Sequence, residues 1–195
     1  MIQREYVCAE CGLATDASRG QHSICVCLDS GGDLRTLAVD PGDKHVGTTL
    51  GLIDGGDPNG VRALQSWTFS QPVFISVLED MLAAGTIDLI VCEDFVLYPW
   101  KAREQGYGQF ATVKLIGVIQ YLAQKYGIPV VLQGANIKKM AIAVGRGRHF
   151  PAIRLRSGRE DFPGKNQHER DSVAHLVWYG YRNPNSPINL GMQDT

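Results

Sequence analysis

The sequence predicts an α/β fold, a mixed five-stranded sheet flanked by helices. Three β-rich runs joined only by turns fill the stretch from Thr36 to Phe69. Beyond Pro72 the apolar spacing turns helical, and helices alternate with two short continuous apolar runs. The order is therefore βββ-α-β-α-β-α-loop-α: an antiparallel meander, then strands that alternate with helices and pair in parallel.

Each element has its own signal. Thr36–Asp40 is a short apolar run closed by Pro41-Gly42, a buried strand entering a turn. His45–Ile53 and Val61–Phe69 are strands separated by the turn-forming Asp54-Gly-Gly-Asp-Pro-Asn-Gly. Pro72–Ala84 has helical spacing and stops at Gly85. Ile87–Cys92 is nearly all apolar, the pattern of a central strand covered on both faces. Glu104–Tyr126 predicts a long helix carrying Val113, Ile116, Val118, Ile119, Leu122 and Ala123, ended by Gly127 and Pro129. Ile128–Leu132 is a further strand and Ile137–Val144 a short helix. Arg146–Lys165 shows no period and reads as an extended or mobile loop before a final amphipathic helix, Gln167–Tyr181.

A chain of 195 residues, 44% hydrophobic and 20% charged, has the composition of an ordinary globular protein. Three segments are expected: a Cys-containing extension over 1–33, the α/β domain over 34–182 and a tail over 183–195. No stretch approaches the roughly 18 apolar residues of a membrane helix, and the start carries no signal-peptide run. The expectation is a cytoplasmic protein with reduced or metal-bound cysteines. Cys8, Cys11, Cys25 and Cys27 offer a Cys₄ zinc knuckle with His22 as an alternative ligand; the other reading is free thiols in a flexible tail. Cys92, inside an apolar run, reads as a small buried residue.

The net charge of −1 is unevenly spread. Between Asn136 and Arg170 nine basic residues stand against three acidic ones, a local excess that suits either phosphate contact or a solvated face.

Three acids fall where chemistry can use them. Asp40 ends the first strand, Glu93 follows the run Ile87–Cys92, and Asp171 lies near the start of the last helix with His168 three residues earlier, on the same helix face. Asp94, beside Glu93, points to the opposite side of the strand and is the competing candidate. Singly these acids have bland readings, Asp40 as a turn former before Pro-Gly and Asp171 as an acid favoured near a helix N-terminus. Jointly, carboxylates on buried strand ends are costly unless a cation compensates them, and hard oxygen ligands suit Mg²⁺ or Mn²⁺. Two ions about 4 Å apart would serve in-line phosphoryl displacement. Asp40 would bridge both, Glu93 and Asp171 would each hold one, and His168 would ligate or manage a proton. His175, one turn on from Asp171, reads as a satisfied helix residue.

These residues carry a resemblance. Leu37-Ala-Val-Asp40-Pro-Gly followed by Val46-Gly47, then Ile90-Val-Cys-Glu93 with Phe95, then His168-Glu-Arg-Asp171-Ser-Val-Ala-His-Leu, resemble the three acidic motifs of RuvC-type Holliday junction resolvases, and especially their short viral or phage versions. The similarity runs from about Leu34 to Tyr181. It implies the ribonuclease-H-like fold and a metal site of Asp40, Glu93, His168 and Asp171. It also implies hydrolysis of branched DNA, a homodimer, and the host cytoplasm if the chain is phage-encoded. By the same resemblance Lys138 or Lys139, with Arg146 and Arg148, would contact DNA, and Phe95, Tyr98 and Trp100 would stack on bases at the branch. One apolar stripe of the helix Glu104–Tyr126 would form the dimer interface. The Cys-bearing extension and the arginine-rich Arg146–Lys165 depart from the family pattern and leave a flap or fork open as substrate.

Two other classes stand beside this. A non-catalytic nucleic-acid-binding module would keep the acids for structure. A sugar- or ATP-binding protein of the actin/hexokinase group would need a second lobe and a second phosphate loop, and neither is found in the sequence.

Overall fold

The structure, a computed structural model, describes residues 6–7, 14–15, 33–54, 60–95, 108–145, 153–155 and 157–183. The chain divides into two compact units, Met1–Gly32 and Asp33–Thr195. Of the first, a two-residue ladder is described, β1 (Tyr6–Val7) antiparallel to β2 (Ala14–Thr15). Cys8, Cys11, Cys25 and Cys27 lie outside the described residues.

In the second unit β3 (Leu34–Pro41), β4 (His45–Ile53) and β5 (Val61–Ser70) form the meander, followed by α1 (Gln71–Ala83). Then come β6 (Leu89–Asp94), α2 (Gly108–Lys125), β7 (Val130–Gly134), a 3₁₀ turn Ala135–Ile137 and α3 (Lys138–Gly145). A small hairpin, β8 (Ile153–Arg154) with β9 (Glu160–Asp161), precedes α4 (Gln167–Arg182). The five-stranded sheet has the order β5-β4-β3-β6-β7, antiparallel across the meander and parallel from β3 to β6 to β7.

Alternation sorts the side chains into two faces. Ala38, Leu89 and Val91 point to the α3/α4 side, where they pack with Ile137, Ala141, Phe162, Val173, Ala174, Leu176 and Val177. Their neighbours Leu37, Val39, Ile90 and Cys92 are equally buried and point the other way, toward α1 and α2. α4 lies over β3, β4 and β5 and beside α3. Its close approach depends on glycine: a Cβ at Gly51 would overlap Leu176, and one at Gly180 would overlap Val61.

Two expectations change, and a third falls partly outside the described residues, which begin again at Gly108. The central position belongs to β3; β6, though flanked on both sides, is second from the edge and runs two residues later than expected, so Glu93 is a paired strand residue. The segment read as a loop, Arg146–Lys165, contains the β8–β9 hairpin, whose strands are too short to show a period, and Phe162 is fully buried. The long helix is described from Gly108, with Leu115, Ile116, Ile119, Leu122 and Ala123 buried and Val113 exposed.

Candidate metal centre

Strand register builds the site. Asp40 pairs with Gly47, Gly47 with Thr68, and Glu93 with Gln133. Val39 is the parallel partner of Cys92, so one step further Asp40 stands beside Glu93. By alternation Asp40 shares the face of Ala38, and Glu93 that of Leu89 and Val91. A polar row Thr68–Gly47–Asp40–Glu93–Gln133 thus crosses one end of the sheet, under α4. Asp94, the competing acid, falls on the opposite face.

α4 is fixed over this row by its own start. Asn166 caps the helix, its Oδ1 accepting Glu169 N–H at 3.1 Å. Glu169 closes a box by accepting Lys165 N–H at 2.8 Å and Thr68 O–H at 3.1 Å. Gly47 has no side chain because the His168 carbonyl passes directly over it, and any Cβ there would overlap that backbone. This contact sets His168 on Asp40, Nδ1 to Oδ2 at 2.6 Å. With Nδ1–H given to the carboxylate, a neutral His168 keeps its lone pair on Nε2, free to ligate or to take a proton.

Two turns along, the buried His175 spans the row, Nε2 to Glu93 Oε2 at 3.1 Å and Nδ1 to Gln133 Oε1 at 2.9 Å. Asp171 is turned toward α3, its carboxylate held by Gln167 Nε2 at 2.9 and 2.8 Å and in ionic contact with Lys138. Lys138 also contacts Asp161 Oδ1 at 3.1 Å, and Arg170 Nε lies 3.4 Å from Asp161 Oδ2. None of these three groups forms an aligned side-chain hydrogen bond there, so the contacts are charge pairings in a buried setting.

Asp40 is the residue under electrostatic stress. Burial, and then the charge of Glu93, push its carboxyl up to about 6, against the opposing hydrogen bond from His168. Asp171 adds to the rise. The Cys92 thiol, buried behind the row, is pushed far above its usual range and is inert as a ligand.

The structure therefore brings Asp40, Glu93, His168 and Asp171 into one electrostatic neighbourhood. Among the described residues, however, no three His, Cys, Asp or Glu side chains are gathered as a metal-binding group. The donor set still fits a hard divalent cation: oxygen-rich, short of positive charge at Asp40, with Asp171 occupied by the ammonium of Lys138. His175, Gln133 and Asp161 are the participants that sequence reasoning missed as such. Of the remaining candidates, Lys139 is exposed on α3 and Phe95 is half-buried after β6. Tyr98, Trp100, Arg146 and Arg148 lie outside the described residues.

No protein-family model and no curated protein sequence matches the chain. Solved structures do match. A five-stranded mixed sheet of this order with helices on both faces is the ribonuclease-H-like fold. The RuvC of Thermus thermophilus superposes with a TM-score of 0.55 at 16% identity, over 76% of this chain and 94% of that one. The same protein in complex with a Holliday junction substrate gives 0.54 at 15%, covering 76% and 93%. The Fowlpox virus resolvase bound to Holliday junction DNA gives 0.50 at 13%, covering 76% and 98%. The likeness is one of fold. No helix among the described residues is long and apolar enough to cross a membrane.

Proposed function

We propose that this chain is a divalent-metal-dependent endodeoxyribonuclease that hydrolyses phosphodiesters in branched DNA, a Holliday junction or a related flap or fork. The observation that carries the reading is the buried Asp40 beside Glu93, with its carboxyl held up near 6, in the fold of proteins solved with Holliday junctions. Asp40, Glu93, His168 and Asp171 are the residues that would hold Mg²⁺ or Mn²⁺. A bound ion of this kind would supply a water of lowered pKa and charge for the developing phosphorane.

The chain's own residues do the rest. His175 and Gln133 keep Glu93 directed along the row, and His168 Nε2 is the basic atom available to a proton. Lys138, freed from Asp171, is an ammonium at the edge of the site for a phosphate oxygen. Lys139, Arg146 and Arg148 are assigned to the DNA backbone, and Phe95, Tyr98 and Trp100 to stacking at the branch. A homodimer is assigned to α2, which exposes Phe110, Val113 and Tyr121 beside an apolar groove of about 550 Å³ lined by Ile75, Ala111 and Leu115. For the N-terminal unit a zinc analysis of the purified chain decides between a Cys₄ knuckle and free thiols.

The test compares four-way, three-way, flap and single-stranded substrates with Mg²⁺ or Mn²⁺. Branched DNA should be cut, and Asp40→Asn should cut nothing while still binding. Cutting by Asp40→Asn at the wild-type rate, or activity unchanged in excess chelator, overturns the site. Binding without cutting in any divalent ion leaves a non-catalytic module instead.

A further inference from the structure

Outside the acidic row, α3 and the β8–β9 hairpin flank a shallow, open groove of about 480 Å³ lined by Lys139, Ile142, Arg154, Gly158, Arg159 and Glu160. Three basic side chains come together along it. Arg35, Arg62, Lys125, Lys138 and Arg170 each pair with a carboxylate. Lys139, Arg154 and Arg159 pair with none among the described residues, and all three are exposed. Glu160, the one acid of the lining, is the register partner of Arg154 across the hairpin.

Three unpaired cations around one concavity repel each other, and an anion relieves that cost. The groove is also rigidly placed. The hairpin is anchored by Phe162, fully buried, and by Asp161 between Lys138 and Arg170, and Arg170 Nη1 donates to Gly164 O at 3.2 Å. Successive residues of α3 therefore serve both places: Lys138 reaches Asp171 in the acidic row, and Lys139 lines the groove.

We propose that this groove binds the phosphodiester backbone of DNA next to the cleavage site, with Arg154 and Arg159 as hairpin contacts and Lys139 facing them from α3. The proposal rests on the nuclease reading for its choice of polyanion and extends the binding surface to a hairpin not assigned to DNA above. Phosphate contacts made by side chains carry a salt signature, about 0.9 in the slope of log affinity against log salt per contact.

The experiment uses the full chain carrying Asp40→Asn, with and without Arg154→Gln and Arg159→Gln together, and measures binding to a four-way junction and a linear duplex across a salt series. The doubly neutralised protein should show a slope smaller by about 1.8 and roughly tenfold weaker junction binding at moderate salt. Its melting temperature should be unchanged. An unaltered slope in a normally melting variant overturns the groove, whatever the cutting assays give. Conversely, binding without cutting by the wild-type chain in any divalent ion removes the nuclease reading and leaves the slope result standing. Titration with inorganic phosphate separates the other source of the same chemistry. Saturable phosphate binding that the two substitutions abolish, with no change in DNA slope, makes this a small-anion site and overturns the proposal.

Discussion

Asp40 and Asp161 are both buried carboxylates packed near α4, at 8% and 1% exposure, yet they live in opposite surroundings. Asp161 stands between two cations, Lys138 and Arg170, and accepts Phe162 N–H at 2.9 Å. Asp40 has one imidazole for company and two further carboxylates in range, and its carboxyl is pushed up to about 6. The more deeply buried acid is the compensated one. The less buried acid is left short of positive charge, a deficit that the proposed cation would relieve and that a structural ion pair does not have.

The sharpest way to break this contrast is Asp161→Asn. The amide keeps an acceptor for Phe162 N–H but leaves Lys138 and Arg170 without their buried counter-charge. Removing one partner of such a cluster costs about 3–5 kcal/mol, read by urea denaturation. A loss below about 1 kcal/mol would mean that solvent, not Asp161, compensates those cations.

Asp40→Asn should go the other way in metal-free protein. Its raised carboxyl means that the folded chain holds a proton more tightly than the unfolded chain, whose value is near 4. Stability of the wild type in chelator therefore falls as pH rises from about 4 to about 6 and stays low above, by about 2–3 kcal/mol. Asn removes that slope, so at pH 8 the variant should unfold at higher urea than the wild type. Mn²⁺ at a thousand times Kd should reverse the ranking, since only the wild type gains about 4.1 kcal/mol there. A wild-type pH profile identical to that of Asp40→Asn removes the claim of charge stress.

How much of this was legible depends on whether the signal was local. The meander, the alternating helices and the positions of Asp40 and Glu93 follow from apolar runs and turns that neighbouring residues determine. Strand parity, once the strands are known, even assigns Asp40 and Glu93 to one face. The β8–β9 hairpin left no trace because two-residue strands have no period, and its burial comes from Phe162 meeting α3 and α4. Asp161 looked like one of three acids in a basic stretch, since its partner Lys138 is 23 positions away. His175 was rightly read as satisfied, but its partners Glu93 and Gln133 come from β6 and β7, and no spacing on α4 announces them.

His175 gives the finest test of the contrast, because its burial resembles that of Asp161 and its contacts belong to the Asp40 row. If it serves the row, its work is to hold Glu93 in the direction a cation needs, and groups that orient a ligand typically govern metal affinity by 10–100-fold. His175→Gln can still hydrogen-bond Gln133 or Glu93, though not both in the same geometry. In chelator it should cost no more than about 1 kcal/mol, the worth of one ordinary hydrogen bond. Its Mn²⁺ affinity by calorimetry should nevertheless fall about tenfold, a difference near 1.4 kcal/mol. Unchanged Mn²⁺ affinity alongside a large loss of stability would place His175 with Asp161, as a residue that serves the fold. Asp40 and Glu93 would then meet the cation without help from α4 beyond His168 and Asp171.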